Sequence, residues 1–283
     1  MRAAFLGLGI MGWPQAANLR AAGHELTVWT RDAGKAERFA HEHGATAAGS
    51  PKEAVAEAGV AITMLPDSPQ VEEVLDDAEP PEGSLVVDMS TIRPSASRAL
   101  AERLGERGVG FLDAPVTGSR PKAEDGTLTI MVGGPAADLE RARPLFDAMG
   151  KLVVHAGPSG HGSMVKLINN TLAAVNAAGL AEGITLARAA GVDLDALGEV
   201  VGSGSGSSAM LELKAGPMRE GDFEPLFKLE HMLKDVRHCL AEARALSLEL
   251  TVAGAAESLY AAADTEGFGG QDFAAVIRSV ERD

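Results

Sequence analysis

A glycine-rich stretch near the start of the chain decides the fold: Gly7-Leu8-Gly9-Ile10-Met11-Gly12. It follows an apolar run and precedes a helical segment, Pro14 to Ala22. In G-x-G-x-x-G, the first glycine allows a tight turn, the second lets a pyrophosphate approach the backbone, and the third permits close helix packing. We therefore interpret all six residues as dinucleotide contacts, with a glycine-rich structural turn as the alternative.

The first half of the chain alternates short apolar runs with helical segments. Runs of four to seven residues without polar alternation are typical of strands buried on both faces of a parallel sheet. The runs are Ala3–Leu8, Leu26–Trp29, Val60–Leu65, Leu85–Met89, Gly110–Val116, Leu128–Val132 and Leu152–His155. This pattern predicts an α/β domain of the Rossmann type.

The second half of the chain has a different pattern. From His161 to Ala190 no proline interrupts a stretch rich in Ala, Leu, Val and Ile, which predicts one helix about 45 Å long. Further helices are predicted around residues 192–201, 209–219, 226–247, 249–266 and 270–281. We therefore expect a nucleotide-binding domain over residues 1–158 and an all-α domain over 159–283, with the long helix as its spine and as a surface for another subunit.

Composition narrows the possible partners. The chain has 25 Lys and Arg against 40 Asp and Glu, a net charge of −15, which disfavours nucleic acid as a partner. The single cysteine, Cys239, excludes an internal disulfide and favours a reducing, cytoplasmic location. No apolar run reaches the roughly 18 residues of a membrane-spanning helix. His41 and His43 point apart on a predicted helix, so we expect no metal site.

The end of the second predicted strand bears on the choice of cofactor. NAD-preferring sites usually place an acid there, whereas an arginine can accept the 2′-phosphate of NADP. Here Thr30 takes the acidic position and Arg31 follows it. This favours NADP(H), while Asp32 keeps NAD(H) possible and a solvated loop charge is the alternative for Arg31.

Two loops after predicted strands are candidates for substrate binding. One contains Ser90 and Thr91, and the other Thr117, Gly118 and Ser119. Ligands bind at the carboxyl ends of parallel strands, and hydroxyls and glycine amides there can hold a small carboxylate. Ordinary turn chemistry is the alternative for each loop taken alone.

Lys166 and Asn170 are candidates for the chemistry itself. They are four residues apart near the start of the long helix and therefore share a face. The apolar neighbours of Lys166 favour its neutral form and thus a role as acid or base. The alternative is a lysine that lies along an apolar helix with its amine in water.

Together these segments resemble the β-hydroxyacid dehydrogenase family. The matching stretches are GLGIMGWPQAANL, DMST, DAPVTGSRPKAEDGTLTIMVGG, GHGSMVKLINN and FKLEHMLKD. The resemblance implies that Lys166 is the catalytic lysine, that Asn170 orients the substrate, and that Lys234 and Asp235 lie beside the cofactor. It also implies that Leu65, Pro66 and Thr91 touch the dinucleotide and that Ser90, Thr117 and Gly118 bind substrate.

Two departures from the family pattern concern specificity. The commoner Ser-Gly-Gly loop is Thr117-Gly118-Ser119 here, which looks more like the glyoxylate/succinic semialdehyde reductase branch. The usual Asn-Arg-Thr after the second strand is Thr30-Arg31-Asp32. These departures leave the substrate and the cofactor preference open.

The sequence thus predicts an NADP(H)-preferring oxidoreductase that interconverts a short hydroxy acid and its aldehyde or keto acid. We expect a small carboxylic acid as substrate, no membrane partner, and a homodimer or homotetramer. An imine reductase on the same scaffold is one alternative, although such relatives typically replace the catalytic lysine. A catalytically silent NADP-binding sensor is the other, although it need not keep Lys166 and Asn170.

Overall fold

The computed structural model describes residues 1–281 and separates them into two compact units, Met1–Lys166 and a second unit that begins at Leu167. The boundary between the units falls inside a single helix, His161–Ala190. No helix within the described residues is both long and apolar enough to cross a membrane.

The first unit is built on a twisted sheet of nine strands. They are β1 (Arg2–Leu6), β2 (Glu25–Trp29), β3 (Thr46–Ala47), β4 (Val60–Thr63), β5 (Leu85–Asp88), β6 (Gly110–Asp113), β7 (Val116–Thr117), β8 (Leu128–Gly133) and β9 (Gly150–Gly157). Their spatial order is β3-β2-β1-β4-β5-β6-β8-β7, with β9 paired to β8. The first six strands in this order are parallel to one another.

Helices cover both faces of this sheet. They are α1 (Gly12–Ala21), α2 (Ala33–His43), α3 (Pro51–Val55), α4 (Ser68–Ala78), α5 (Pro94–Gly105), α6 (Ser119–Glu124) and α7 (Ala136–Met149). One core joins α1, α2 and α7 to the face that carries Phe5, Ile62 and Val87. The other joins α3, α4 and α5 to the face that carries Ala61 and Val86. The predicted Rossmann-type α/β architecture is confirmed.

The structure corrects the predicted sheet at one end. The run Gly110–Val116 forms two strands instead of one, because Pro115 lacks the N–H that a continuous ladder requires. Strand β8 then pairs antiparallel with β6 and β7, so the sheet is mixed and not wholly parallel. The predicted burial of Leu152–His155 was also wrong: Leu152 is 53% exposed because β9 pairs only with β8 and lies outside the doubly covered part of the sheet.

The second unit is helical, as predicted. The long helix α8 (His161–Ala190) has the predicted ends. It is followed by α9 (Leu194–Ser203), α10 (Ala209–Glu220), α11 (Leu229–Ala245), α12 (Thr251–Ala263), a π-helical segment (Asp264–Phe268), a 3₁₀ helix (Phe273–Val276) and α13 (Ile277–Val280). The single helix predicted for 270–281 instead begins after Asp272, whose carboxylate caps the 3₁₀ turn by accepting from Ala274 N.

A buried ion pair crosses the interior of this helical unit. Lys214 Nζ lies 2.7 Å from Asp272 Oδ1, with the two side chains only 5% and 3% exposed. The ammonium also lies over the ring of Phe273, 4.2 Å from its centroid. Asp272 Oδ2 accepts from the amides of Leu226 and Phe227 just before α11, so one carboxylate joins α10, the start of α11 and the C-terminal helices.

Candidate active site

The glycine loop has the geometry that a dinucleotide requires. Gly7 adopts φ +110° and donates its amide to Trp29 O at 2.8 Å. A side chain at Gly12 would overlap the carbonyl of Gly7, so the helix can approach the strand only without one. Gly9 is exposed, and a Cβ there would meet nothing within 4 Å. The loop therefore leaves an open backbone surface at the start of α1, where helix amides favour a phosphate.

Several loops end at the same edge of the parallel sheet as this glycine loop. Leu6 at the end of β1 is in register with Trp29 on β2 and Thr63 on β4, and Thr63 is in register with Asp88 on β5. The segments that follow these ends contain the predicted cofactor and substrate residues Thr30, Arg31, Leu65, Pro66, Ser90 and Thr91. The structure therefore brings this part of the predicted site together on one edge.

Arg31 and Asp32 have different local roles at the end of β2. Arg31 is exposed and its guanidinium donates to Glu73 Oε2 at 2.9 Å. The Asp32 carboxylate accepts from Lys35 N and caps α2. Asp32 is thus engaged by its own helix, and Arg31 is held by an exposed ion pair, a type of contact that contributes little stability.

The loop that contains Thr117, Gly118 and Ser119 lies where the sheet becomes antiparallel. Thr117 pairs with Thr129 of β8, Gly118 has φ +137°, and Ser119 has φ +56°. Positive φ at a serine is uncommon and costs conformational energy. A glycine and a serine with positive φ therefore lie next to each other at the start of α6.

Asp113 fixes the start of α8, a role that the sequence analysis missed. Its carboxylate accepts from Gly160 N and Ser163 N, both at 2.7 Å. Gly162 allows the first turn of α8 to lie close to the sheet, because a side chain there would collide with the backbone of β6 and β8. Burial raises the pKa of Asp113, and the two amide hydrogen bonds oppose that rise. The available signal was an acidic residue at the end of an otherwise apolar strand.

Lys166 follows Ser163 by three residues and therefore lies one turn further along α8, near the same side. Lys166 is 8% exposed. Asn170, one more turn along, is 5% exposed, whereas Asn169 is exposed and donates to Asn170 Oδ1 at 3.2 Å. Because Asp113 holds the first turn, the helix that carries Lys166 starts from the carboxyl edge of the sheet.

In the helical unit the structure brings Asn170, Lys234 and Asp235 together. Asn170 Nδ2 donates to Asp235 Oδ2 at 2.6 Å. Lys234 Nζ lies 3.1 Å from Asp235 Oδ1, and the Asp235 side chain is 1% exposed. The sequence placed the lysine and aspartate beside the cofactor by resemblance only and did not link either residue to Asn170.

The remaining conspicuous residues have local contacts. The ring of His43 lies 4.5 Å from that of Phe39, centroid to centroid, and 5.9 Å from that of Trp13. His161 Nδ1 lies 3.3 Å from Ala156 O, and Cys239 is a buried thiol on α11. Within residues 1–281, no three His, Cys, Asp or Glu side chains cluster closely enough to hold a metal ion.

Comparison with known proteins defines the class. Residues 2–157 match the family model described as the NAD binding domain of 6-phosphogluconate dehydrogenase, and residues 160–280 match that described as NAD-binding of NADP-dependent 3-hydroxyisobutyrate dehydrogenase. Fold and site thus define an NAD(P)-dependent oxidoreductase. The chain belongs to the β-hydroxyacid dehydrogenase family.

Similar proteins cover nearly the whole chain. An NAD-dependent L-serine dehydrogenase of Pseudomonas aeruginosa is 40% identical, covering 96% of this chain and 95% of its own. A 2-hydroxy-3-oxopropionate reductase of Escherichia coli is 35% identical, with 99% and 97% covered. The structure of Mycobacterium tuberculosis 3-hydroxyisobutyrate dehydrogenase with L-serine has a TM-score of 0.92 at 33% identity, with 99% of each chain covered. A Streptomyces aurantiacus imine reductase, 22% identical with a TM-score of 0.67, shares the fold.

Proposed function

We propose that this protein is an NADP(H)-preferring dehydrogenase that interconverts a short hydroxy acid and its aldehyde or keto acid, with Lys166 as the general acid and base. The observation that carries this proposal is the buried Lys166 on a helix whose first turn is tied to Asp113. A buried amine near the carboxyl edge of a nucleotide-binding sheet suits proton transfer to an oxygen that gains charge.

The residues present fit a dinucleotide. The glycine loop leaves room for backbone contact at Gly9, while Gly7 and Gly12 occupy positions that a side chain would fill. The dinucleotide, when bound, supplies or accepts a hydride. The residues assigned to hold it are Gly7, Leu8, Gly9, Ile10, Met11, Gly12, Thr30, Arg31, Leu65, Pro66, Thr91, Lys234 and Asp235.

In the reductive direction Lys166 donates a proton to the carbonyl oxygen of the substrate, and in the oxidative direction it accepts the hydroxyl proton. Asn170 orients the substrate or the lysine. Its amide nitrogen donates to Asp235 and its Oδ1 accepts from Asn169, so its rotamer is held from both ends. Ser90, Thr117, Gly118 and Ser119 hold the substrate carboxylate.

The four residues assigned to the substrate carboxylate form what we call the carboxylate clamp: Ser90, Thr117, Gly118 and Ser119. The clamp predicts which aldehydes the enzyme prefers. A neutral aldehyde would leave donors in the clamp without an acceptor, at about 1 to 3 kcal/mol for each. Acid aldehydes should therefore exceed a neutral aldehyde of equal length by at least about tenfold in kcat/KM. The test compares glyoxylate, succinic semialdehyde, methylmalonate semialdehyde and butyraldehyde with NADPH at fixed pH and salt. Butyraldehyde equal to the best acid would contradict the clamp.

The cofactor preference rests on Arg31, whose charge at the end of β2 suits a 2′-phosphate. We expect a higher kcat/KM with NADPH than with NADH, and we expect Arg31→Ala to weaken NADPH selectively. Glu73→Ala is the matched control, because it releases Arg31 from its ion pair and leaves the charge in place. Preference for NADH, unchanged by Arg31→Ala, would contradict the assignment.

Oxidation of L-serine is a second candidate activity. It is favoured by the 40% identity to a protein named as an NAD-dependent L-serine dehydrogenase. Initial rates with L-serine and with 3-hydroxyisobutyrate, each with NAD⁺ and NADP⁺, separate the two. A kcat/KM for L-serine at least about tenfold above that for the hydroxy acid, a difference of about 1.4 kcal/mol, would favour this candidate.

A further inference from the structure

A row of buried polar side chains crosses the ends of three parallel strands in the first unit. Thr63, Asp88 and Asp113 end β4, β5 and β6 and are in register with one another. All three are 0% exposed, although the residues before them are apolar. The middle member, Asp88, has no part in the proposed proton transfer.

Asp88 joins the two loops that leave β4 and β5. Its Oδ1 accepts from Thr63 Oγ1 at 2.7 Å and from Ser90 N at 3.1 Å. Ser90 Oγ in turn accepts from Leu65 N at 2.9 Å. A single carboxylate oxygen therefore fixes Ser90, and through Ser90 it fixes the backbone at Leu65.

These two loops carry Leu65, Pro66, Ser90 and Thr91, which the proposed function assigns to cofactor and substrate. Because Asp88 is fully buried, its side chain does not touch a ligand that enters from solvent. Its influence on binding has to pass through the loops that it holds.

We propose that Asp88 is a positioning residue for the dinucleotide site, and that its negative charge, acting through Thr63 and Ser90, holds the loops after β4 and β5 in their binding conformation. This inference rests on the proposed function, because that function assigns these loops to the cofactor. It adds a residue that acts on the site without lining it.

The surroundings of Asp88 make its charge state sensitive to pH. Burial raises the pKa of this carboxyl to about 6, although the hydrogen bonds from Ser90 and Thr63 oppose the rise. Asp88 Oδ2 has no hydrogen-bond partner among residues 1–281. Protonation weakens Oδ1 as an acceptor, so we expect the loops to loosen as the pH falls through about 6.

The charged groups around Asp88 are few. On the neighbouring strands, β4 presents the uncharged Thr63 and β6 presents Asp113, whose charge adds to the raised pKa. The helices on this face, α4 and α5, bury the uncharged Ser68 and Ser97 in their first turns. The charged residues nearest those turns, Asp67, Arg93 and Arg98, are at least partly exposed.

The experiment measures binding of NADP⁺ and NAD⁺ to the full chain by calorimetry from pH 5 to pH 8. NAD⁺ is included because it lacks the 2′-phosphate, which itself titrates in this range. For wild type we expect the Kd of both dinucleotides to rise by roughly tenfold, the cost of one weakened charge-assisted hydrogen bond, as the pH falls through about 6.

Three variants make the test specific to the charge. Asp88→Asn should have the weak, low-pH affinity at every pH, with kcat at saturating dinucleotide within about twofold of wild type, since Asp88 acts by positioning and not on the reacting atoms. Thr63→Val should move the pH transition upward, because the carboxylate loses a donor that stabilises its charged form. Thr63→Ser should restore the wild-type transition, which a loss of packing alone would not explain.

Ser84→Ala is the matched control. Ser84 lies just before the opposite end of β5, is 5% exposed, and donates to Pro81 O at 2.5 Å, and its replacement should leave both the affinity and the pH transition unchanged. Wild-type affinity and pH dependence in Asp88→Asn would overturn the proposal. If wild type itself bound neither dinucleotide at any pH, the proposed function would fail as well; binding that does not depend on Asp88 would overturn this inference alone.

Discussion

Both units bury aspartates, but they stabilise them in different ways. In the α/β unit, Asp88 and Asp113 meet hydroxyls and backbone amides, and their pKa values are raised by burial. In the helical unit, Asp272 forms an ion pair with Lys214, and Asp235 forms one with Lys234. The two aspartates of the α/β unit are held by dipoles, whereas each of the two aspartates in the helical unit also has a lysine cation beside it.

The difference follows from the architecture of each unit. At the carboxyl ends of parallel strands, loop amides and helix N-termini converge, so donors are supplied by the backbone. Inside the helical unit most backbone amides are already used by the helices. Each buried aspartate there adds a lysine to its other partners, which are three backbone amides for Asp272 and the Asn170 side-chain amide for Asp235. The first arrangement suits binding of an anionic ligand, and the second suits a rigid framework around α11.

The largest effect should come from breaking the ion pair in the helical unit. Lys214→Met leaves the Asp272 carboxylate buried without its cation, and we expect a loss of about 3 to 5 kcal/mol in the free energy of unfolding. Adding Asp272→Asn removes the charge but keeps an acceptor for Leu226 N and Phe227 N, so the double variant should recover part of that loss. Urea unfolding measures both. Equal stability of the two variants would show that the charge is not what matters.

Removing the buried charge of Asp88 in the α/β unit should raise the free energy of unfolding, which is the opposite of the loss expected for Lys214→Met. A rise of the Asp88 pKa from its usual 3.8 to about 6 corresponds to about 3 kcal/mol at about 1.4 kcal/mol per pH unit. Since the folded state binds the proton more tightly, this cost is absent below pH 3.8 and grows until the pH passes about 6.

Asp88→Asn should therefore be more stable than wild type at pH 7 to 8, with the advantage shrinking as the pH falls through about 6 and towards 3.8. Thermal unfolding across this range measures it. The control is Asp113→Asn, which should destabilise the fold, because its carboxylate accepts two amides that an asparagine cannot both satisfy. A pH-independent difference between Asp88→Asn and wild type would contradict the raised pKa.

A smaller effect is expected at Asp235, which has two partners. Asn170→Ala removes the amide that donates to Asp235 Oδ2 and leaves Lys234 on Oδ1. We expect a loss of about 1 to 3 kcal/mol in unfolding free energy, the cost of one unsatisfied buried acceptor. Asn176→Ala, which removes an exposed asparagine further along the same helix, is the control and should change stability by less than about 0.5 kcal/mol. Equal losses in unfolding free energy for the two variants would contradict a structural link between Asn170 and Asp235.

Local pattern predicted much of the fold. The glycine loop and the ends of α8 could be predicted because their signals lie within a few residues: glycines at fixed spacing, and an uninterrupted apolar stretch. The pairing of β8 could not, because a short apolar run looks the same whether its partner is parallel or antiparallel. The exposure of β9 was missed for the same reason, since it depends on which strands lie beside it.

The residues of the candidate site also fall into those that a local pattern could identify and those whose partners are distant in sequence. Lys166 and Asn170 could be selected from their spacing on one helix. The partners of buried carboxylates could not, because they lie far apart in sequence: Asn170 and Asp235 are separated by 65 residues and Lys214 and Asp272 by 58. An acidic residue at the end of an apolar strand, as at Asp88 and Asp113, signals that a buried partner exists but not which residue it is.

The role of Lys166 as general acid is tested by the effect of Lys166→Ala on turnover and on dinucleotide binding, measured together with the best acid aldehyde and NADPH. We expect kcat to fall by roughly a hundredfold to ten-thousandfold, the usual effect of losing a general acid, while the Kd of NADPH stays nearly the same. Near-normal turnover would contradict it, since the proton would then have to come from another group.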